Sequence, residues 1–184
     1  RTEARFRQAT MLLLISQKSS QYPLQTEMTK MGSDNECDHP LVSIIIPSFN
    51  SAKTIRGALE SIYLQPHGLF EVLVMDGKSN DDTAAIVARF QKEHENIRFF
   101  IEPDTGVYDA MNKGISHANG NWLIFLGSDD ELHDPDVLKD MSKAMIGNQA
   151  DLVYGDVITI GDTPFGKDGS IYGGEFAKER IVTR

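Results

Sequence analysis

Residues 41–65 read LVSIIIPSFNSAKTIRGALESIYLQ. The first part is a short apolar, β-branched run that ends at Pro47, the pattern of a buried strand. The second part sets Ile55, Ala58, Leu59 and Ile62 at helical spacing, with Ser51 or Thr54 placed to cap it. A buried strand followed by an amphipathic helix is half of a crossover unit, and whether the chain repeats it decides the fold.

The unit recurs downstream. FEVLVMD (70–76) is a second buried strand, and SNDDTAAIVARFQKEH (79–94) a second amphipathic helix, with Ser79 or Asn80 as its cap and Asp81 and Asp82 in its first turn. IRFFIEP (97–103) predicts a third strand. GVYDAMNKGISHANG (106–120) predicts a helix with Val107, Ala110, Met111, Gly114, Ile115 and Ala118 on one face. NWLIFLGSD (121–129) predicts a fourth strand, DPDVLKDMSKAMIG (134–147) a helix with Val137, Met141, Ala144 and Met145 inward, and DLVYGDVITI (151–160) a fifth strand. Such alternation with short connections predicts an α/β fold, a mostly parallel sheet with helices on both faces.

Ligands of such sheets bind outside the carboxyl ends of the strands, and polar residues collect there. Strand one ends in Pro47-Ser48-Phe49-Asn50, strand two in Asp76-Gly77-Lys78, strand three in Glu102-Pro103-Asp104 and strand four in Ser128-Asp129-Asp130. The usual phosphate-binding loops are missing. PSFNSAKT contains no glycine for a dinucleotide-binding turn, no Gly-x-x-x-x-Gly-Lys-Ser/Thr occurs, and Pro47 to Asn50 offers no carboxylate for phosphoaspartyl chemistry. What remains is a rim of carboxylates.

Oxygen-only ligands suit hard cations such as Mg²⁺ or Mn²⁺, and Mg²⁺ commonly bridges one or two carboxylates to substrate phosphates. Asp129 and Asp130 can supply that pair; the competing reading is an acidic helix start before Asp134-Pro135. Asp76 can accept the N3–H of a uracil while Phe49 packs on the base, or it can be a turn residue before Gly77. His117 and His133 have no partners at ligand spacing, and Asp81 and Asp82 read as helix N-terminal acids.

Bulk properties narrow the function classes. The 184 residues suffice for one domain with a sizeable core. Lys and Arg number 18 against 27 Asp and Glu, a formal net charge of −9, so no nucleic-acid partner is expected. A lone cysteine, Cys37, excludes a disulfide framework and fits a reducing compartment. Residues 1–40 balance their charges (Arg1, Arg5, Arg7, Lys18 and Lys30 against Glu3, Glu27, Asp34, Glu36 and Asp38) and read as a poorly ordered leader, with a short helix around 3–17. The apolar run Met11–Ile15 is too short to span a bilayer.

Four stretches in order, VSIIIPSFNSAKTIRGALESI, FEVLVMDGKSNDDT, EPDTGVYDAMNKGISHANGNW and FLGSDDEL, resemble family 2 glycosyltransferases with the Rossmann-like GT-A nucleotide-diphospho-sugar fold. The likeness covers about residues 41–132, DLVYGDV extends it to about 157, and PDTGVYDAMNKG is most similar to the branch that builds bacterial polysaccharides.

The resemblance implies an inverting enzyme that moves a sugar from a nucleotide-diphosphate donor, most readily a UDP-sugar, to a hydroxyl of a carbohydrate or lipid-linked acceptor. It implies a Mn²⁺ or Mg²⁺ cofactor, and a cytoplasmic location that extends to peripheral association with the inner membrane face. Pro47, Phe49 and Asn50 would border the nucleobase, and Asp76 would bind it. Asn112 and Lys113 would face the nucleotide from the side. Asp129 and Asp130 would form the DXD-type element, one touching ribose or diphosphate and one the metal, and Tyr154, Gly155 and Asp156 would lie nearer the acceptor.

The sequence departs from the family pattern at three points. Gly127 stands where an acid is frequent, Gly77 is followed by Lys78, and no residue before Arg184 has the context of the general base. Residues 41–184 are therefore expected to be a donor-binding domain, with the base beyond Arg184. The alternative is a non-catalytic nucleotide-sugar-binding module. A nucleotidyltransferase of similar fold would want a Gly-rich basic loop after strand one, and PSFNSAKTIRG does not supply it.

Overall fold

The computed structural model describes residues 13–16, 42–66, 70–147, 152–154, 156–161 and 167–172. The strands are β1 (Leu13–Ser16), β2 (Val42–Ser48), β3 (Phe70–Asp76), β4 (Ile97–Ile101), β5 (Trp122–Phe125), β6 (Leu152–Tyr154), β7 (Val157–Ile158) and β8 (Ile171–Tyr172). The helices are α1 (Ile55–Tyr63), α2 (Thr83–Glu93), α3 (Val107–His117) and α4 (Val137–Gly147). A six-stranded sheet has the order β4-β3-β2-β5-β1-β6, and β7 and β8 form a separate antiparallel pair. β2 runs parallel to both β3 and β5, and β3 parallel to β4.

The central strands are apolar throughout because both of their faces are covered. β2 and β3 are buried at every residue. Alternate side chains enter two cores. Ile44, Ile46, Val72 and Val74 pack on one face with Ile55, Leu59 and Ile62 of α1, Val87 and Phe90 of α2, and Leu138 and Met141 of α4. Ile45, Leu73, Met75 and Leu123 pack on the other with Ala110 of α3. Each fully buried Ile or Leu in these layers contributes roughly 1.5–3 kcal/mol through removal of its apolar surface from water.

The face under α3 also carries a buried carboxylate. Glu71 accepts hydrogen bonds from Ser43 Oγ (2.6 Å), Asn119 N (2.6 Å) and Asn119 Nδ2 (3.1 Å), and Arg98 donates to it at 3.4 Å. Arg98 also donates to the His117 carbonyl at 2.8 Å. This network lies at the amino ends of the strands, opposite the rim, and ties the end of α3 to the sheet.

Three sequence expectations change. The short helix around 3–17 is replaced, over its described part, by strand β1, antiparallel to both β5 and β6, with Leu14 opposite Ile124 and Val153. Backbone pairing to a strand on each side offers this four-residue segment more than one isolated helical turn, which is marginal in water. α2 starts at Thr83 rather than at the Ser79 or Asn80 cap, because Asp81 spends its carboxylate on Thr83 N (3.0 Å) and on Ala52 N across the neighbouring loop (3.0 Å). The fifth strand divides: β6 joins the main sheet, while β7 pairs with β8, Val157 opposite Tyr172. The inward placement of Ala144 and Met145 concerns side chains outside those described.

Candidate functional site

The carboxyl ends of β4, β3, β2 and β5 form one rim, as parallel pairing requires. After β2 the chain turns sharply at Asn50, whose φ of 51° lies in the left-handed region that Asn tolerates better than most residues. Asn50 N donates to Ser79 Oγ (2.8 Å), and Asn50 Oδ1 accepts from Asn80 N (2.9 Å). Ser51 N donates to Thr83 Oγ1 at 2.8 Å. The β2–α1 and β3–α2 loops are thus laced together, and the Asn50 side chain is part of the lacing. Phe49 projects outward, 62% exposed.

Asp76 ends β3 with its carboxylate turned down into the fold, only 2% exposed. Oδ2 accepts from Ser79 N at 2.8 Å, and Oδ1 accepts from the hydroxyls of Ser79 and Ser48. This holds a tight turn in which Lys78 also takes a left-handed φ of 62°. A base contact of the kind expected from the sequence would have to draw this carboxylate out of the turn.

The acidic pair follows β5. Leu126 N donates to the Ile45 carbonyl at 3.0 Å, which extends the sheet by one step, and Asp130 N donates to the Gly127 carbonyl at 3.1 Å, which folds the next residues back. Gly127 is what allows both carboxylates to approach. A Cβ built there would lie 2.5 Å from Asp130 Oδ2 and 2.9 Å from Asp129 Oδ1. The two oxygens are therefore no farther apart than the sum of those distances, over a cradle that a side chain would fill. Asp130 is buried and Asp129 half-buried.

The donor set is hard oxygen, and the cradle suits a divalent cation that completes its shell with phosphate oxygens and water. Among the described residues no group of three or more His, Cys, Asp or Glu could hold a metal, so such a cation would rest on Asp129, Asp130 and its ligand. The frequent family acid at position 127 would occupy the space that these carboxylates use.

Between β4 and α3, Lys113 Nζ donates to the Pro103 carbonyl at 2.6 Å and pairs with Asp109 (3.2 Å) and Glu102 (3.9 Å). The Thr105 N–H, followed by Lys113, holds the Asp109 carboxyl below the usual range. Lys113 thus braces residues 103–106, while Asn112 stands exposed beside it. The side-chain contacts described for Lys113 are with Glu102, Pro103 and Asp109. Asp104, which the sequence placed on the rim without a role, has Oδ2 directly over Gly77, where a Cβ would meet it at 2.5 Å. The signal was present in the run Asp76-Gly77: a missing side chain at a strand end invites a neighbour's.

β6 runs parallel to β5, since β1 opposes both, so Tyr154 ends on the same edge of the sheet. Of Tyr154 only the backbone is described, Gly155 lies outside the described residues, and Asp156 is exposed before β7. Pro47, opposite Met75 in the register, lies within buried β2 just below the rim. No described helix is long and apolar enough to cross a membrane.

Residues 43–180 match the family model described as Glycosyl transferase family 2. A PGL/p-HBAD biosynthesis glycosyltransferase of Mycobacterium tuberculosis is 42% identical over 146 residues, which cover 78% of this chain and 54% of that relative. The chain spans about half the length of the curated relatives it matches. Among solved structures, a mannosyltransferase from Pyrobaculum calidifontis in complex with GDP-Man and Mn²⁺ superposes with a TM-score of 0.55 at 27% identity, over 64% of this chain and 35% of that one. A TarS fragment of S. aureus in complex with UDP-GlcNAc gives 0.52 at 31% identity, over 55% and 30%.

Proposed function

This chain belongs to glycosyl transferase family 2, and from that premise we propose that it is the donor-binding part of a metal-dependent, inverting glycosyltransferase. The donor is a nucleotide-diphospho-sugar, read here as a UDP-sugar. The acceptor is a hydroxyl of a carbohydrate or lipid-linked acceptor in polysaccharide biosynthesis, at work in the cytoplasm or at the inner face of the membrane. The observation that carries the reading is the convergence of Asp129 and Asp130 over Gly127 at the end of β5.

Mn²⁺ or Mg²⁺ held there would neutralise charge on the departing diphosphate. Phe49, exposed after β2, offers its ring to the nucleobase. Pro47, Asn50 and Asp76 shape the loop beneath it, Asn112 and Lys113 flank it, and Tyr154 and Asp156 lie toward the acceptor. The general base is assigned to no residue of this chain. The complexes with UDP-GlcNAc and with GDP-Man and Mn²⁺ support nucleotide-sugar binding with a divalent metal on this fold.

The test is calorimetric titration of UDP into the 184-residue chain with and without Mn²⁺, repeated on Asp130→Ala. Mn²⁺-dependent binding that Asp130→Ala abolishes is expected. Binding indifferent to the metal and to Asp130 overturns the metal assignment, and no binding by the folded chain overturns the donor reading. Sugar transfer assayed on the same sample separates an enzyme from a module that only binds the donor.

A further inference from the structure

At the β3–β4 side the rim carries Asp76, Glu102 and Asp104; Glu102 pairs with Lys113, and the other two differ in what they can still accept. Asp76 is buried and committed to Ser79 and Ser48. Asp104 is half-buried. Its Oδ1 accepts the Gly106 N–H at 2.9 Å, and among the described residues its Oδ2 accepts no hydrogen bond.

That second oxygen is held in place. Lys113 pins the Pro103 carbonyl on one side, the Gly106 N–H fixes the other oxygen, and Gly77 supplies the space that Oδ2 occupies. The Glu102 N–H donates to the Asp76 carbonyl at 3.0 Å, so the loop stays registered on the end of β3. β3 lies two strands from β5, roughly 10 Å at ordinary strand spacing. An extended nucleoside diphosphate spans a comparable distance from its phosphates to its base.

Resting on the donor-site reading above, we infer that Asp104 is a specificity-determining residue, whose Oδ2 accepts the ring N–H of a nucleobase that lies over Gly77. A carboxylate only accepts hydrogen bonds. It therefore selects bases that carry a proton on the ring nitrogen at neutral pH, uracil or thymine at N3 or guanine at N1. It rejects cytosine and adenine, which present a lone pair there and would leave two acceptors facing each other. Gly77 is part of the device, because any side chain at that position displaces the oxygen that reads the base.

The experiment is calorimetry of UDP, GDP, CDP and ADP with Mn²⁺ on the whole chain, on Asp104→Asn and on Gly77→Ala, each checked for an unchanged melting temperature. The wild-type chain is expected to bind UDP or GDP at least about tenfold tighter than CDP and ADP, the order expected for one hydrogen bond to a charged acceptor; which of the two binds tighter separates a uracil-type base from guanine. Asp104→Asn presents an amide N–H, so the preference over CDP should collapse through weaker UDP or GDP binding and stronger CDP binding. Gly77→Ala should lose the preference with Asp104 still present.

A preference that survives both substitutions overturns the assignment of Asp104 and leaves the donor-site reading intact. A folded wild-type chain that binds none of the four overturns both.

Discussion

Ser51 Oγ and Ser128 Oγ meet at 2.8 Å across the tops of β2 and β5. One residue begins the loop laced to β3, and the other immediately precedes the acidic pair. This hydroxyl pair is thus a direct side-chain link between the acidic end of the rim and its nucleobase end. Ser128→Ala should cost about 0.5–1.5 kcal/mol of stability and weaken Mn²⁺-dependent UDP binding without abolishing it. The double variant with Ser51→Ala should cost less than the sum of the single variants, because both remove the same bond. Chemical denaturation and calorimetry of the three variants check this; strict additivity would show the bond to be idle.

Gly127→Ala adds a methyl where Asp130 Oδ2 and Asp129 Oδ1 converge. The obstructing atoms are the ends of side chains, so the chain should fold and the carboxylates should swing apart. A near-native melting curve together with at least about tenfold weaker metal-dependent UDP binding is expected, from the loss of one charged ligand contact. Unchanged binding would place the cation elsewhere.

Tyr63, half-buried at the end of α1, packs against the core with its ring stacked on His94, centroids 3.6 Å apart. Its hydroxyl is buried and, among the described residues, has no hydrogen-bond partner. Tyr63→Phe should therefore stabilise the fold by about 1 kcal/mol, the order of an unmet hydroxyl's desolvation penalty. Burial also pushes the phenol upward from its ordinary 10.0. The folded state then holds its proton more tightly than the unfolded state, so the linked stability is complete below pH 10 and is lost as pH rises above it. Melting curves from pH 8 to 11 should show a decline for the wild-type chain that Tyr63→Phe reduces.

Asp81 gives the opposite sign. The Thr83 hydroxyl, with the Ala52 and Thr83 amides, holds its carboxyl below the ordinary 3.8. Its contribution is present above that value and disappears as pH falls through the lowered one. Asp81→Asn should flatten the acid limb of the stability curve below pH 4, read by denaturant melts at pH 2.5 to 5. A limb identical to the wild type would remove Asp81 from the lacing of the two loops.

Much of this architecture is written locally. β2 through β5 announce themselves because each is an apolar block set against a helical repeat, and a parallel sheet covered on both faces demands that pattern. The rim follows from it without further information. What escaped local reading depends on partners distant in sequence. β1 is four residues, LLIS, whose strand character exists only against Ile124 and Val153. Asp76 and Asp104 are both acids at strand ends, and only the turn at Ser79 and the missing side chain at Gly77 reveal which faces inward. The part Asn50 plays as a loop latch was not legible because its partner, Asn80, lies thirty residues away.

The position of β1 also sets an order of events during synthesis. The ribosome makes Leu14 about 110 residues before Ile124, an interval of roughly 5–20 s at ordinary elongation rates. During that interval β2, β3 and β4 are made in turn, while the apolar segment made before them still lacks β5, the strand it joins. The strand that bears the acidic pair is thus flanked on one side by early structure and on the other by a segment that must wait for it, so the half of the rim that would hold the metal is the last to be buttressed.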